Sequence, residues 1–349
     1  MVKMSIRENR LYIEDVESVL NLNCDFLKLK GKSILITGAT GLIGSACVDL
    51  LMSLEIIGFE LYASGRNVAR AEKLFSKYKN NTYFHFLNFD VSKPLDFDID
   101  FDFIIDSAGG SSPSLYQNNP VEVMESNILG VKNLLDYGKK HSLKKFVYVS
   151  SGEVYGEGDG RIFTEDYSGY INPLNFRSCY PMAKRASETL CVSYAKEYGI
   201  EVSIIRPCHV YGPHFTENDN RVYAQFIRNI LNNENIVLKS KGEQFRSWIY
   251  SEDCANALLY VLLRGENRQA YNVANSKSNL SIKELAQIVA KVAGKKVVFD
   301  IPNDGTGGNT TPITKAVFST EKLEALGWKA QVGIEEGLRR TLEIMRGEK

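Results

Sequence analysis

The sequence carries no surplus of charge, with 42 Lys and Arg against 42 Asp and Glu in 349 residues. Nucleic acid and anionic membrane surfaces both select a basic excess, so neither is an expected partner. Cysteine is sparse. Cys24, Cys47, Cys179, Cys191, Cys208 and Cys254 form no close pair, which excludes a zinc knuckle or a CxxC redox site and predicts reduced, mostly buried thiols. No run approaches the ~18 apolar residues of a membrane span, and the charged start Met1–Arg10 lacks the apolar core of a signal peptide. A cytoplasmic protein is expected. Proline is scarce at nine residues, and no Pro-, Gly- or Ser-rich linker divides the chain, so two lobes packed around a cleft are expected rather than independent beads. What is present in quantity is apolar: 44% of the chain, with 18 Tyr and 17 Phe, enough to bury a large core and exclude disorder.

Apolar periodicity predicts a helical leader over Ile6–Leu29, then a short buried strand at Ser33–Thr37 that ends in glycines. A helix over Leu42–Ile56, a strand at Glu60–Ser64, a helix over Val68–Lys79 and a strand at Tyr83–Phe86 follow. Further strands are expected at Phe101–Asp106, Lys145–Ser150 and Val202–Arg206, separated by helices over Val121–His141 and Pro181–Tyr198. This alternation predicts an α/β fold with a doubly wound parallel sheet. After Pro207 the pattern becomes a smaller mixed α/β region, with helices over Val222–Asn232, Glu252–Leu263 and Ser281–Ala293 and strands at Ile236–Lys239 and Ala270–Val273. Ser281 and Glu284 have the spacing of a capping box. The expected organisation is a leader (1–30), a dinucleotide-binding domain (31–207) and a substrate lobe (208–349).

Between the first strand and first helix stands Thr37-Gly38-Ala39-Thr40-Gly41-Leu42-Ile43-Gly44. Glycines there permit a tight turn and a close approach of backbone amides to a pyrophosphate, which the helix N-terminus attracts. Gly38, Thr40, Gly41, Leu42 and Ile43 are therefore cofactor candidates. Asp90-Val91 would suit an adenine edge, and Ala108-Gly109 would let the chain pass close to the cofactor. An acid is expected at the end of the second strand for the free ribose hydroxyl of NAD. Here Ser64-Gly65-Arg66-Asn67 offers an arginine instead, which suits the 2′-phosphate of NADP.

Tyr180 and Lys184 lie four apart at the head of a predicted helix, hence on one face. An adjacent ammonium and an oxidised nicotinamide both favour a phenolate, making the tyrosine a usable base. Ser151 and Glu153, at the end of the fifth strand, place a hydroxyl and a carboxylate at the same cleft.

With these motifs in register from Ser33 to the C-terminus, together with Arg206-Pro207, the sequence resembles the extended short-chain dehydrogenase/reductase family of nucleotide-sugar epimerases and dehydratases. The resemblance implies a Rossmann-type sheet, NAD, and sugar oxidation at carbon 4. Tyr180 would serve as base, Lys184 as its electrostatic partner and ribose ligand, and Ser151 as the group bonding the sugar oxygen. The run Glu165–Pro173, then Arg177-Ser178-Cys179-Tyr180, Asp219–Val222 and Arg246-Ser247, is similar to the UDP-glucuronate decarboxylase subfamily. That implies substrate-diphosphate roles for Arg177, Arg221 and Arg246, an active-site role for Glu153, and no metal. A ketone at carbon 4 would make the carbon 5 carboxylate a β-keto acid, able to lose carbon dioxide. Gly152 stands where a dehydratase would carry an aspartate, which speaks against dehydration. The alternatives are a 4-epimerase or 4-ketoreductase, the latter favoured by Arg66, and a non-catalytic dinucleotide-binding regulator. The resemblance also implies a homodimer built from the Val121–His141 and Pro181–Tyr198 helices, while the leader is expected to dock on the dinucleotide lobe.

Overall fold

A computed structural model describes residues 5–217, 219–301 and 314–347. Its first strand, β1 (Ser33–Thr37), has Ile34, Leu35 and Ile36 without solvent exposure, as expected of a strand covered on both faces. The strands that follow are β2 (Glu60–Gly65), β3 (Phe84–Asn88), β4 (Phe103–Asp106), β5 (Lys145–Val149), β6 (Glu201–Pro207), β7 (His209–Tyr211), β8 (Ile236–Leu238), β9 (Phe245–Tyr250) and β10 (Gln269–Val273). Seven form one parallel sheet in the order β10-β6-β5-β4-β1-β2-β3. The direction of winding reverses at β1, which lies between β2 and β4, so a crevice opens beyond the carboxyl ends of β1 and β4. This is the Rossmann-type architecture expected from the alternation.

The boundary expected at 207/208 is crossed by the chain. β10, grouped with the C-terminal lobe on sequence order, pairs in parallel with β6 and forms the edge of the large sheet. The helix Ser251–Arg264 before it is buried nearly all round and packs on the helix Leu42–Met52. A short apolar run such as Tyr271–Val273 carries no signal of which sheet it will join. The smaller lobe is built around β9, which pairs with β7, with Asn279–Ser281 and with Lys315–Ala316. The capping box of Ser281 and Glu284 forms as its spacing predicts.

Several helices are shorter than expected. The first ends at Met52, and the chain turns through Glu55–Ile57 to Gly58 at φ +77°. The next ends at Leu74, followed by a 3-10 turn at Ser76–Tyr78. Among the described residues of the leader only Arg10–Glu17 is α-helical, started by Asn9, whose Oδ1 accepts from the N–H groups of Leu11 and Tyr12. Three 3-10 turns account for most of the other described residues of the leader.

The leader touches both lobes. Arg7 and Tyr12 donate to Asp49 of the first Rossmann helix, while Asp15 accepts from Tyr250 of β9 and from Arg340 of the C-terminal helix Ile334–Arg346. The six cysteines are free thiols, four buried and two partly buried. Among the described residues no helix is long and apolar enough to cross a membrane.

Candidate active site

The loop after β1 is shaped by steric necessity. Gly38 sits at φ +61°, and a Cβ there would lie 2.5 Å from the Ser107 carbonyl oxygen; one on Gly44 would lie 2.4 Å from the Gly38 carbonyl. Gly41 caps the helix Leu42–Met52 without a side-chain acceptor, leaving the first-turn amides directed into the crevice. The opposite rim is Ser107-Ala108-Gly109 after β4. Gly109 has φ +142°, and a Cβ there would come within 2.6 Å of Asn127 Oδ1, a buried oxygen with no hydrogen-bond partner among the described residues. A backbone-lined cradle at a helix N-terminus, facing an orphaned buried acceptor, fits a dinucleotide pyrophosphate and its neighbouring groups.

The other cofactor candidates divide. Arg66 is exposed and stands 3.5 Å from Asp90, whose carboxylate also accepts from Ser92. Burial, the largest single influence, pushes Asp90 up, but the Ser92 bonds and then the Arg66 guanidinium together hold it below the usual carboxylate range. Asn67 is a helix cap, its Oδ1 accepting the Arg70 N–H. The Val91 side chain is buried against Gly130, and its carbonyl accepts from Asn133 Nδ2 at 2.9 Å. Arg70, absent from the sequence-based candidates, donates through Nε and Nη2 to the Thr40 carbonyl at 3.2 and 3.0 Å and so props the glycine loop. Nothing in its spacing sets it apart from any arginine on an exposed helix.

On the catalytic side, Tyr180 lies in the first turn of the helix Cys179–Tyr198, its ring stacked on Tyr116 with centroids 4.8 Å apart. Burial, then the nearby Glu153 carboxylate, push its phenol up to about 12, while a hydrogen bond from Ser151 and the charges of Arg221 and Arg177 pull the other way. One turn along, Lys184 Nζ donates to the Val149 carbonyl at 2.8 Å and lies 5.8 Å from the Tyr180 ring centre. Burial brings this ammonium down to about 8, opposed by Asp106 and Glu188. Asp106 ends β4, where it accepts from Thr37 and from the Ala108 N–H. Ser151 Oγ accepts the Glu153 N–H at 3.2 Å, which leaves its hydroxyl proton to point elsewhere.

Glu153 and Arg177, given separate roles on sequence, face each other in a two-pronged pair at 2.8 and 3.0 Å, with the guanidinium 4.5 Å over the Tyr116 ring. Arg177 is thus engaged within the chain. Arg221 is held by Asp219 and Tyr223, and its charge reaches both Tyr116 and Tyr180. Arg246 is buried on β9; burial lowers its guanidinium to about 10, and the field of Glu153 opposes that. Arg206 serves packing, binding Glu188 at 2.6 and 3.0 Å and donating to Tyr155 and the Glu165 carbonyl. Among the described residues no group of three or more His, Cys, Asp and Glu side chains could hold a metal ion.

Known proteins resemble this chain in sequence and in fold. The family model "NAD dependent epimerase/dehydratase family" matches residues 34–274. UDP-glucuronic acid decarboxylase 6 of Arabidopsis thaliana is 32% identical over 312 residues, spanning 87% of this chain and 86% of that protein. UDP-glucuronic acid decarboxylase 1 of Xenopus tropicalis is 30% identical over 332 residues, spanning 91% and 73%. Among solved structures, the UDP-glucose 4-epimerase of Thermus thermophilus in complex with NAD superposes with a TM-score of 0.75 at 26% identity, covering 91% of this chain and 100% of that one. The Rossmann-type sheet, the glycine loop and these likenesses agree with the resemblance read from the motifs: the chain belongs to the NAD dependent epimerase/dehydratase family of enzymes.

Proposed function

We propose that the protein binds NAD across the carboxyl ends of β1, β2 and β4 and decarboxylates UDP-glucuronate by way of a sugar oxidised at carbon 4. The observation that carries this reading is the convergence of Ser151, Tyr180 and Lys184 beside the glycine cradle, with Glu153 and Arg221 in electrostatic reach of the Tyr180 hydroxyl. The likeness to decarboxylases over most of both chains supports the choice of substrate.

When bound, the dinucleotide supplies a reversible hydride acceptor. The chain's own residues hold the sugar and move its proton. Ser151 donates to the carbon 4 oxygen and Tyr180 takes the hydroxyl proton. With its phenol raised to about 12, Tyr180 is a weak base by itself at neutral pH, so nearby positive charge has to favour the phenolate. Arg221 and Arg177 are charges of that kind already acting on the phenol, and Lys184, pinned by the Val149 carbonyl, stands with Nζ 5.8 Å from the Tyr180 ring centre. Arg221 and Arg246, from the 208–349 lobe, would take the diphosphate, for which guanidinium forks are suited. Arg177 fixes the direction of Glu153. The bond from carbon 5 to its carboxylate breaks with loss of carbon dioxide, its electron pair passes into the enolate that Ser151 and Tyr180 stabilise, carbon 5 takes a proton from solvent, and the hydride and the Tyr180 proton return to carbon 4 and its oxygen to give the UDP-pentose.

A second reading, a 4-ketoreductase, is favoured by one observation: β2 ends at Ser64-Gly65 and is followed by Arg66, with no acid for a ribose hydroxyl. Against NADP, a 2′-phosphate beside Arg66 would also face Asp90 3.5 Å from that guanidinium. We therefore propose NAD. Ligands released from the purified protein by denaturation and identified by mass test both points. NAD with a UDP-sugar is expected; NADP, or a nucleotide-sugar without UDP, would overturn them.

The proposed assembly is a homodimer through the helices Pro120–Lys140 and Cys179–Tyr198, whose outer surface exposes Val121, Met124 and Leu129. Light scattering should give twice the chain mass, and a monomer would remove this proposal.

A further inference from the structure

The geometry points to Phe318 as a positioning residue that sets Ser151 and Glu153 from the far lobe, an inference that rests on the proposed roles of those two residues. Gly152 lies between them, and a Cβ on Gly152 would fall 2.3 Å from Phe318 Cζ and 2.7 Å from Cε1. No real Cβ tolerates such contacts, so the ring occupies the space any other residue at 152 would need. The turn Gly152–Tyr155 rests on an aromatic cluster of Tyr155, Phe163 and Phe318, with centroids 4.9 to 5.7 Å apart. The ring is itself fixed from two sides. The Phe318 N–H donates to Ser247 Oγ at 3.1 Å, next to Arg246 on β9, and the flanking residues exchange backbone bonds with Phe163, from Phe163 N–H to Val317 and from Ser319 N–H to Phe163.

A mechanical link results. β9 carries Arg246 and Ser247; Ser247 holds Phe318; Phe318 presses on the turn that begins at Ser151 and contains Glu153. A diphosphate seated on Arg246 would act on the strand whose next residue anchors the ring. Gly152 and Phe318 thus form a matched pair, with the absent side chain of one filled by the other, and the pair sets where the Ser151 hydroxyl meets the sugar oxygen and Tyr180.

The test is reciprocal rescue. Gly152→Ala should lower kcat about a hundredfold with NAD affinity unchanged, since a misplacement near 1 Å at the reacting groups costs that much. Phe318→Ala should lower kcat about tenfold, because the turn relaxes without being displaced by a clash. It should also move the acidic limb of kcat/KM to higher pH, because Ser151's bond is one of the influences holding the Tyr180 phenol down. The double variant Gly152→Ala/Phe318→Ala should recover about tenfold over Gly152→Ala, a coupling that distant, independent residues do not show. Losses that multiply, a Gly152→Ala enzyme of unchanged rate, or a Phe318→Ala enzyme with an unmoved pH limb would overturn the inference. If Gly152→Ala does not fold, Phe318→Leu decides by the same pH limb, which a purely structural role would leave in place. A wild type that turns over a different UDP-sugar but not UDP-glucuronate would sink the decarboxylase reading alone, and the rescue is then measured with that sugar.

Discussion

At the back of the molecule, Asp49 is answered from three directions: Arg7 Nε at 2.7 Å, Tyr12 Oη at 2.5 Å and Tyr78 Oη at 2.8 Å, all buried. Nearby Asp15 accepts from Tyr250 and Arg340 at 2.7 and 2.6 Å. At the front, Tyr180 and Lys184 are as deeply buried, yet burial outweighs what surrounds them, so the phenol stands near 12 and the ammonium near 8. The two clusters differ in where their compensation comes from. At the back each acid accepts from side-chain donors on distant segments of the same chain, which ties the leader to both lobes, although burial still outweighs them at Asp15 and raises its carboxyl to about 6. At the cleft the matching charge is left for a ligand to supply, which is how a site becomes poised for proton transfer. The back cluster is therefore a clasp and the front one a workplace, and substitutions should separate them.

Tyr180→Phe should show the largest effect on rate, a loss of roughly 10²- to 10⁴-fold in turnover with NAD affinity unchanged by titration calorimetry. Retention of the full rate would remove the assignment and leave the non-catalytic reading open. Asp49→Ala should do the opposite. It strands Arg7 in the interior, and breaking such a buried pair costs about 3–5 kcal/mol, seen as a large fall in melting temperature with kcat nearly preserved at low temperature. Equal loss of kcat would show that the clasp and the site are one unit.

Between these lies Glu252, buried behind β9 and raised to about 8 by burial and by Asp15. Its folded value lies above its unfolded value, so the proton-bound form stabilises the fold. That contribution is whole below about pH 4.5 and is lost as pH rises through about 8. Glu252→Gln should raise the melting temperature at pH 8 relative to pH 5 by on the order of 2 to 4 °C compared with wild type. A parallel profile would place that acid outside the clasp. The smallest effect belongs to Arg66, whose ion pair with Asp90 is exposed. Arg66→Ala should leave the melting temperature unchanged and NAD affinity nearly so. A large loss of NAD affinity would make Arg66 a direct ligand.

The cleft was legible in the sequence where its chemistry is local. The glycine loop, the four-residue spacing of Tyr180 and Lys184, and Ser151 at a strand end all depend on helix and strand period, and the strands that bring them together were readable from alternating apolar runs. The pairs that shape the site were not. Glu153 meets Arg177 across 24 residues, and Gly152 meets Phe318 across a gap from the first lobe to the last segment. No spacing encodes such contacts. The leader illustrates the same limit: its apolar residues predicted burial, but Asn9, Ser18 and Asn21 break it into one short helix and several turns, and its partners Asp49, Tyr250 and Arg340 lie far along the chain. β10 joins the large sheet, which the sequence did not reveal because a short buried run has no face to mark its neighbour.

The central claim, oxidation at carbon 4 followed by loss of the carbon 5 carboxylate, is tested most directly by incubating the protein with NAD and UDP-glucuronate labelled in the carboxylate. Labelled carbon dioxide and a UDP-pentose in equal amounts, with no net consumption of NAD, is the predicted result. A UDP-sugar that keeps its label, whether unchanged or epimerised, would contradict it.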